Sequence, residues 1–145
     1  MTNKKEASRS AYISCDRDLI QVDWVYSYLH ENMYWAKSLT LEAFRRALDH
    51  SAVVFGVYHN GKQIGFARVI SDCATFAYLT DVFIEESYRG QGLSTQLLQE
   101  IVSNEKLQGL RRFTLVTETA AGLYARFGFR PLEDAAHWMQ IFAHN

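Results

Sequence analysis

The sequence predicts one α/β domain with a mixed, mostly antiparallel twisted sheet and helices on both faces. Apolar residues recur at helical spacing before residue 50, at strand spacing from 52 to 84, and at helical spacing again from 93. Asn60-Gly61 separates two strand-like runs and is a strong hairpin signal. The 145 residues contain one proline and no Gly/Ser-rich linker. We therefore expect a flexible tail over 1–9 and a single domain over 10–145.

The first part of the chain reads as a strand followed by two helices. Residues 11–15 are a short strand, and helical spacing begins at Leu19, with Asp16 and Asp18 as candidate caps. Thr40 is the expected cap of the second helix. The aromatic run Met33-Tyr34-Trp35 lies in the loop between these helices.

The rest of the chain alternates strands and helices. Strands are expected over 52–58, 63–70, 76–84, 113–116 and 137–143, and helices from Leu93 and over 120–126. The order is β-α-α-β-β-β-α-β-α-β. A helix between the strands at 76–84 and 113–116 is a crossover, which lets those two strands run parallel.

Composition excludes several classes of function. The net charge of -1 shows no excess of positive charge of the kind that binds nucleic acid. Two distant cysteines and five unclustered histidines form no metal-ligand spacing, so no metal is expected. The first ten residues are polar, and no apolar run is long enough for a membrane span. We expect a cytoplasmic protein with no membrane partner.

The most informative stretch is residues 81–94, where a strand ends, a glycine-bearing turn follows and a helix begins. Backbone N–H groups of such a turn, together with the helix N-terminus, can bind a pyrophosphate, and Arg89 adds a fixed positive charge. No lysine follows either glycine, which excludes a P-loop, and no third glycine completes a dinucleotide fingerprint. A plain tight turn into a helix is the structural alternative.

At this point the chain resembles the GNAT acetyltransferase superfamily over nearly its whole length. Residues 87–92 are similar to the acyl-CoA signature [Q/R]-x-x-G-x-[G/A], with Ser87 in place of Gln or Arg. Residues 120–129 are similar to the family motif A-x-x-L-Y-x-x-x-G-F. The resemblance implies an N-acetyltransferase that moves the acetyl group of acetyl-CoA onto a primary amine by direct attack.

The resemblance also implies the residues that hold acetyl-CoA. Backbone groups at the end of the strand before the turn hold the acyl arm, and the turn holds the pyrophosphate. Thr117 takes the position where the family often has an asparagine against the pantetheine arm. The implied set is Val82, Phe83, Ile84, Arg89, Gly90, Gln91, Gly92, Leu93, Ser94 and Thr117.

Two residues are the candidates for catalysis. In similar enzymes the tyrosine of the second motif faces the CoA sulfur, which makes Tyr124 the expected general acid; packing against the sheet is the alternative. Asp81 lies in an otherwise apolar strand, where an unpaired carboxylate is costly to bury. It is either an amine anchor or water-mediated base, or a structural hydrogen-bonding residue. Tyr78, Glu118 and ordered water are further candidates for the base.

The acceptor pocket is expected at the loop between the first two helices. Tyr34 and Trp35 can wall it and favour an aryl or alkyl amine, and Tyr78 and Thr80 are the expected contacts from the sheet. Polyamine-type relatives carry a glutamate where this chain has Thr80. A protein N-terminus or lysine is an alternative acceptor, and a non-catalytic acyl-CoA-binding module an alternative function. Many relatives are dimers, so the resemblance also suggests a homodimer.

Overall fold

The computed structural model describes residues 10–143, in which five strands form one sheet in the order β1-β2-β3-β4-β5. The predicted tail, 1–9, lies outside the described residues. The strands are β1 (Tyr12–Ser14), β2 (Val53–His59), β3 (Lys62–Ser71), β4 (Phe76–Ile84) and β5 (Arg112–Leu115). The helices are α1 (Val22–Asn32), α2 (Leu41–Asp49), α3 (Leu93–Ser103) and α4 (Ala121–Ala125). Short 3-10 turns lie at Arg17–Leu19, Tyr34–Ala36, Glu86–Tyr88, Glu105–Leu107 and Ala135–His137.

The pairing of the strands confirms the predicted mixed sheet. β1 to β4 pair antiparallel in sequence order, and β5 pairs parallel to β4 after the α3 crossover. The hairpin between β2 and β3 turns at Asn60 and Gly61, with φ of 51° and 76°. Positive φ at both residues is the requirement of a type I′ turn, which is why this dipeptide predicted the hairpin.

Helices cover both faces of the sheet, as the sequence predicts, and each face has its own buried cluster. On one face α3 packs its apolar side on the sheet, through Leu93, Leu97, Leu98, Ile101, Val57, Ala67 and Leu79. On the other face α1 and α2 do the same, through Val25, Leu29, Phe44, Leu48, Val54, Phe66 and Phe83. No helix between residues 10 and 143 has the length and apolar character of a membrane span.

The two expected helix caps have different outcomes. Thr40 Oγ1 accepts a hydrogen bond from the Ala43 N–H at 3.1 Å, which confirms the cap of α2. Asp16 instead caps the 3-10 turn, and α1 begins only after Gln21, so the predicted cap of α1 is wrong. The Gln21 N–H donates to the Gln63 side chain at 2.8 Å, and this tertiary bond fixes where the helix can start.

The predicted last strand, 137–143, is also wrong for the described chain. His137 ends a 3-10 turn, and no strand includes any residue from 138 to 143. Trp138 has extended dihedrals, while the side chains of Met139 and Ile141 are 96% and 105% exposed. A strand needs a neighbouring strand for its hydrogen bonds, and alternation of apolar residues predicts the extended backbone but not that neighbour.

Candidate active site

The turn between β4 and α3 is held open by two glycines. Gly90 and Gly92 have φ of 79° and 81°, in the left-handed region that favours glycine. An added Cβ at either position would meet nothing within 4 Å, so the backbone conformation requires these glycines and packing does not. Gly92 precedes α3 and provides no side-chain cap, which leaves the first N–H groups of the helix available to an anion.

Arg89 is fixed at the base of this turn by two hydrogen bonds. Its Nε donates to the Ile84 carbonyl at 3.0 Å, and its Nη2 donates to the Tyr28 hydroxyl at 3.0 Å. Tyr28 stacks on Phe83, with ring centroids 4.1 Å apart and planes 9° from parallel. Tyr28 was not among the site residues expected from the sequence. It also orients the arginine, a role that only the long-range contact between α1 and the turn reveals.

The backbone of β4 is unpaired on one side where it approaches the turn. β5 pairs with β4 only from Phe76 to Leu79, and β4 continues to Ile84. Within residues 10–143, the β5 side of 80–84 therefore has no sheet partner. Ala67 on β3 also opposes two residues of β4, and Asp81 at that bulge has φ of 57°. The 3-10 turn Glu86–Tyr88 joins this open edge to the glycine turn.

Asp81 forms a largely buried ion pair with Arg68 of β3. Arg68 Nε lies 2.6 Å from Asp81 Oδ2, and the two side chains are 15% and 9% exposed. Arg68 was missed by the sequence reasoning. The available signal was one arginine in an apolar strand beside one aspartate in the next strand. The contact supports the structural alternative for Asp81, because the pair connects the bulge to β3.

Tyr124 lies on α4 at a cleft of about 1050 Å³ beside β5, which Thr117 and Ala121 also line. Its ring packs edge-on against Phe129 at 5.9 Å between centroids. Burial raises the pKa of the Tyr124 hydroxyl, so the group holds its proton at neutral pH. Thr117 Oγ1 accepts from the Ala120 N–H at 3.0 Å, which fixes the turn before α4.

The predicted acceptor residues separate into two groups. Tyr34 is 72% exposed, and its hydroxyl donates to Glu118 Oε1 at 3.4 Å, across to the loop between β5 and α4. Trp35 contacts Tyr34 edge-on at 5.3 Å. Tyr78 and Thr80 lie on β4 and, like Asp81, are not among the residues that line the Tyr124 cleft. In the described part of the chain, no group of three or more His, Cys, Asp or Glu side chains could hold a metal ion.

An open glycine turn before a helix, at the free edge of a mixed sheet, is an arrangement that can bind the pyrophosphate of an acyl-CoA, and comparison with known proteins identifies the class of protein. The profile of the Acetyltransferase (GNAT) domain matches residues 50–131. A crystal structure of a GNAT-family protein from Xanthomonas campestris is 43% identical, with a TM-score of 0.88, and the match covers 92% of this chain and 93% of that one.

Two curated relatives extend the comparison. A Gibberella zeae protein named as an acetyltransferase is 34% identical over 87% of this chain and 82% of its own length. Serotonin N-acetyltransferase 2 of rice, a chloroplast protein, is 31% identical over 70% of this chain. That match spans 53% of the rice protein. The chain belongs to the GNAT family and is a GNAT-family N-acetyltransferase.

Proposed function

We propose that this chain moves the acetyl group of acetyl-CoA onto a small primary amine by direct attack, with Tyr124 as the general acid. The observation that carries the proposal is the continuity of two open backbone surfaces. The unpaired edge of β4 ends at Ile84, and after the 3-10 turn Glu86–Tyr88 the chain forms the glycine turn and the uncapped start of α3. An extended donor with a pyrophosphate at one end needs both surfaces in that order.

The turn is the proposed pyrophosphate site. Backbone N–H groups from Arg89 to Ser94, in the sequence Arg-Gly-Gln-Gly-Leu-Ser, are proposed to donate to the phosphate oxygens. The fixed guanidinium of Arg89 adds positive charge beside them. The acyl arm would lie along the backbone of Val82, Phe83 and Ile84, with Thr117 on its other side.

The protein must assist the reaction in three ways. The attacking amine, with an ordinary pKa of about 10.4, must lose a proton, and the departing thiolate, of about 8.5, gains from receiving one. The thioester oxygen becomes an oxyanion that a backbone N–H of the open β4 edge can stabilise. The raised pKa of Tyr124 supports its role, because the general acid must arrive protonated.

Asp81 is the acidic residue proposed for the acceptor side. Arg68 binds Oδ2 of its carboxylate, while Oδ1 accepts no hydrogen bond from residues 10–143. That oxygen can receive a proton from the amine through ordered water, or anchor the ammonium form. The ion pair equally supports a purely structural role. Glu118 is the alternative base, since Tyr34 contacts its carboxylate.

A small amine is the acceptor that the surroundings favour. Tyr34 and Trp35 are exposed aromatic rings, which attract cationic and aromatic amines. The name of the rice relative refers to serotonin, an arylalkylamine, which agrees with such a pocket. A protein amine is the second candidate, because the same exposed rings leave the loop accessible. A non-catalytic acyl-CoA-binding module remains the alternative from another class.

The test is CoA release from acetyl-CoA with a panel of arylalkylamines and diamines, followed by thiol detection. Tyr124→Phe should lower kcat about 10²–10⁴-fold and leave acetyl-CoA affinity nearly unchanged, because only the proton donor is lost. Tyr26→Phe is the matched control: it removes a hydroxyl bonded to the Leu39 carbonyl and should leave kcat unchanged. Full activity in Tyr124→Phe would refute the acid role. Acetyl-CoA binding without turnover of any amine would support the binding module.

A further inference from the structure

We propose that Arg68 is a positioning residue for acetyl transfer. Through its ion pair with Asp81 it holds the bulge of β4 in the shape that presents backbone N–H groups of residues 80–82 to the thioester oxygen. Of the two roles open to Asp81 this selects the structural one, and the proton of the amine then goes to Glu118 or to ordered water. The inference rests on the proposed function, because it concerns the same reaction.

Asp81 is the residue at which β4 departs from regular strand geometry. Phe66 pairs with Phe83 and Arg68 pairs with Thr80, so three steps along β4 match two steps along β3. The φ of 57° at Asp81 accommodates the extra residue. Residues with a Cβ seldom adopt this left-handed region, although aspartate enters it more readily than most. The conformation therefore needs contacts that hold it in place.

The side chain of Asp81 makes those contacts through Arg68. Arg68 Nε donates to Asp81 Oδ2 at 2.6 Å, and both side chains are largely buried. Arg68 Nη1 donates to Ser51 Oγ at 3.4 Å, and Ser51 Oγ donates to the Ala47 carbonyl at 2.7 Å. Ser51 is itself buried, just beyond the end of α2. The guanidinium of Arg68 thus joins the bulge of β4 to α2.

A second arginine fixes the same end of α2. Arg17 Nη1 donates to the Leu48 carbonyl at 2.7 Å, and Arg17 Nη2 donates to the Ser51 carbonyl. Ser51 is therefore held by its own helix and by Arg17 before Arg68 binds it. A buried network of this kind has few alternative partners, so it can select one backbone conformation at Asp81.

The bulge lies where the proposed reaction needs an accurately aimed donor. Beyond Leu79, β4 has no partner strand on its β5 side within residues 10–143, and a bulge changes the directions of the N–H groups around it. Displacement of a group that acts on the reacting atoms by about 1 Å can cost about 10²-fold in rate. The pyrophosphate would bind several residues away, at the glycine turn. Loss of the ion pair should therefore lower kcat and leave acetyl-CoA affinity nearly unchanged.

The first experiment compares two double variants that differ only at the Cβ of residue 81, each assayed where circular dichroism shows it folded. Arg68→Met/Asp81→Gly and Arg68→Met/Asp81→Ala both lack the ion pair and both of its charges. Glycine adopts a φ near 57° freely, whereas alanine disfavours it by about 10-fold. We expect kcat to be about 10-fold higher in the glycine variant, with nearly equal acetyl-CoA affinity. Equal kcat values would overturn the proposal, because a carboxylate base is missing from both variants alike.

Single variants test Arg68 itself. Arg68→Met should lower kcat about 10–100-fold, and Arg68→Lys should recover part of that loss because an ammonium can still bind Oδ2 of Asp81. Arg46→Met is the control: Arg46 pairs with Glu42 on the exposed surface of α2, and kcat should stay at the wild-type value. A wild-type kcat in Arg68→Met would overturn the proposal.

Amide NMR of the same proteins follows the geometry without turnover. Addition of acetyl-CoA should shift the amide signals of residues 80–82 in the wild type and in the glycine double variant, and much less in the alanine double variant. Equal shifts in the two double variants would overturn the proposal. If the shifts follow this order but the wild type acetylates no amine, only the proposed function fails.

Discussion

Removing the arginine of the Arg68–Asp81 pair should cost much more stability than removing a surface arginine. The pair is 2.6 Å apart, and its side chains are 15% and 9% exposed, so Arg68→Met leaves a nearly buried carboxylate without its partner. Breaking a buried pair in this way costs about 3–5 kcal/mol. Since some exposure remains here, we expect about 3 kcal/mol, which lowers the melting temperature by roughly 6–12 °C for a chain of this size.

A double variant tests whether the loss of stability comes from the buried charge that Arg68→Met leaves unpaired. Asn keeps the left-handed backbone that Asp81 adopts and replaces the charge with a neutral amide. Arg68→Met/Asp81→Asn should therefore be more stable than Arg68→Met alone, by about 1–2 kcal/mol, because no charge is left buried. Independent effects would instead make the double variant the least stable of all.

The assay is urea unfolding followed by circular dichroism, with Arg45→Met as the control. Arg45 pairs with Asp23 at 3.4 Å, but the two side chains are 59% and 81% exposed. Such an exposed pair contributes no more than about 0.5 kcal/mol to the free energy of unfolding. Equal losses in Arg68→Met and Arg45→Met, or additive losses in the double variant, would refute the account of the buried pair.

Two further predictions concern stability and titration. Gly56→Ala should lower the free energy of unfolding in urea by about 1–3 kcal/mol, because the added Cβ would lie 2.5 Å from Cζ of Tyr58. Gly122→Ala is the control, since the space around Gly122 is open and the substitution should cost nothing. Equal effects of the two substitutions would contradict this packing. Hydrogen bonds from Arg112 lower the pKa of Asp134 to about 2, so the pair stabilises the fold above the ordinary carboxyl pKa of about 3.9 and this contribution is lost as the pH falls through about 2. Carbon-13 NMR should find the Asp134 midpoint near 2, and a midpoint near 3.9 would mean that the pair does not form in solution.

Local physical chemistry made much of the fold predictable from the sequence. The dipeptide Asn60-Gly61 tolerates positive φ at both residues, and a Thr40 N-cap can only stabilise the helix that follows it. Apolar spacing also separated the strands from the helices, because it reports which face of each element is buried. The glycine turn was predictable for the same reason, since Gly90 and Gly92 are required by the backbone alone.

Features that depend on a distant partner were not predictable. Residues 137–143 have the pattern of a strand, but the pattern does not show whether a neighbouring strand is present to pair with them. Asp16 was a plausible cap for α1 from the sequence. In the structure, the hydrogen bond between Gln21 and Gln63 places the start of the helix after Gln21. Arg68 meets Asp81 only through the register of β3 and β4 at the bulge, and one sequence carries no direct signal of that register.

The central claim is that the open turn before α3 binds the pyrophosphate of acetyl-CoA, and a matched pair of charged variants tests it. Aspartate enters the left-handed region more readily than most residues, and its charge is favourable near a helix N-terminus, so Gly92→Asp should still fold, with a loss of about 1 kcal/mol. Gly61→Asp makes the same change in the β2–β3 hairpin, where φ is 76° and an added Cβ also has open space.

Calorimetric titration with acetyl-CoA is the decisive measurement. We expect micromolar binding by the wild type and Gly61→Asp, and affinity lower by about 100-fold or more in Gly92→Asp, because the carboxylate would occupy and repel the phosphate site. Wild-type affinity in Gly92→Asp, or no binding by the wild type, would contradict the account.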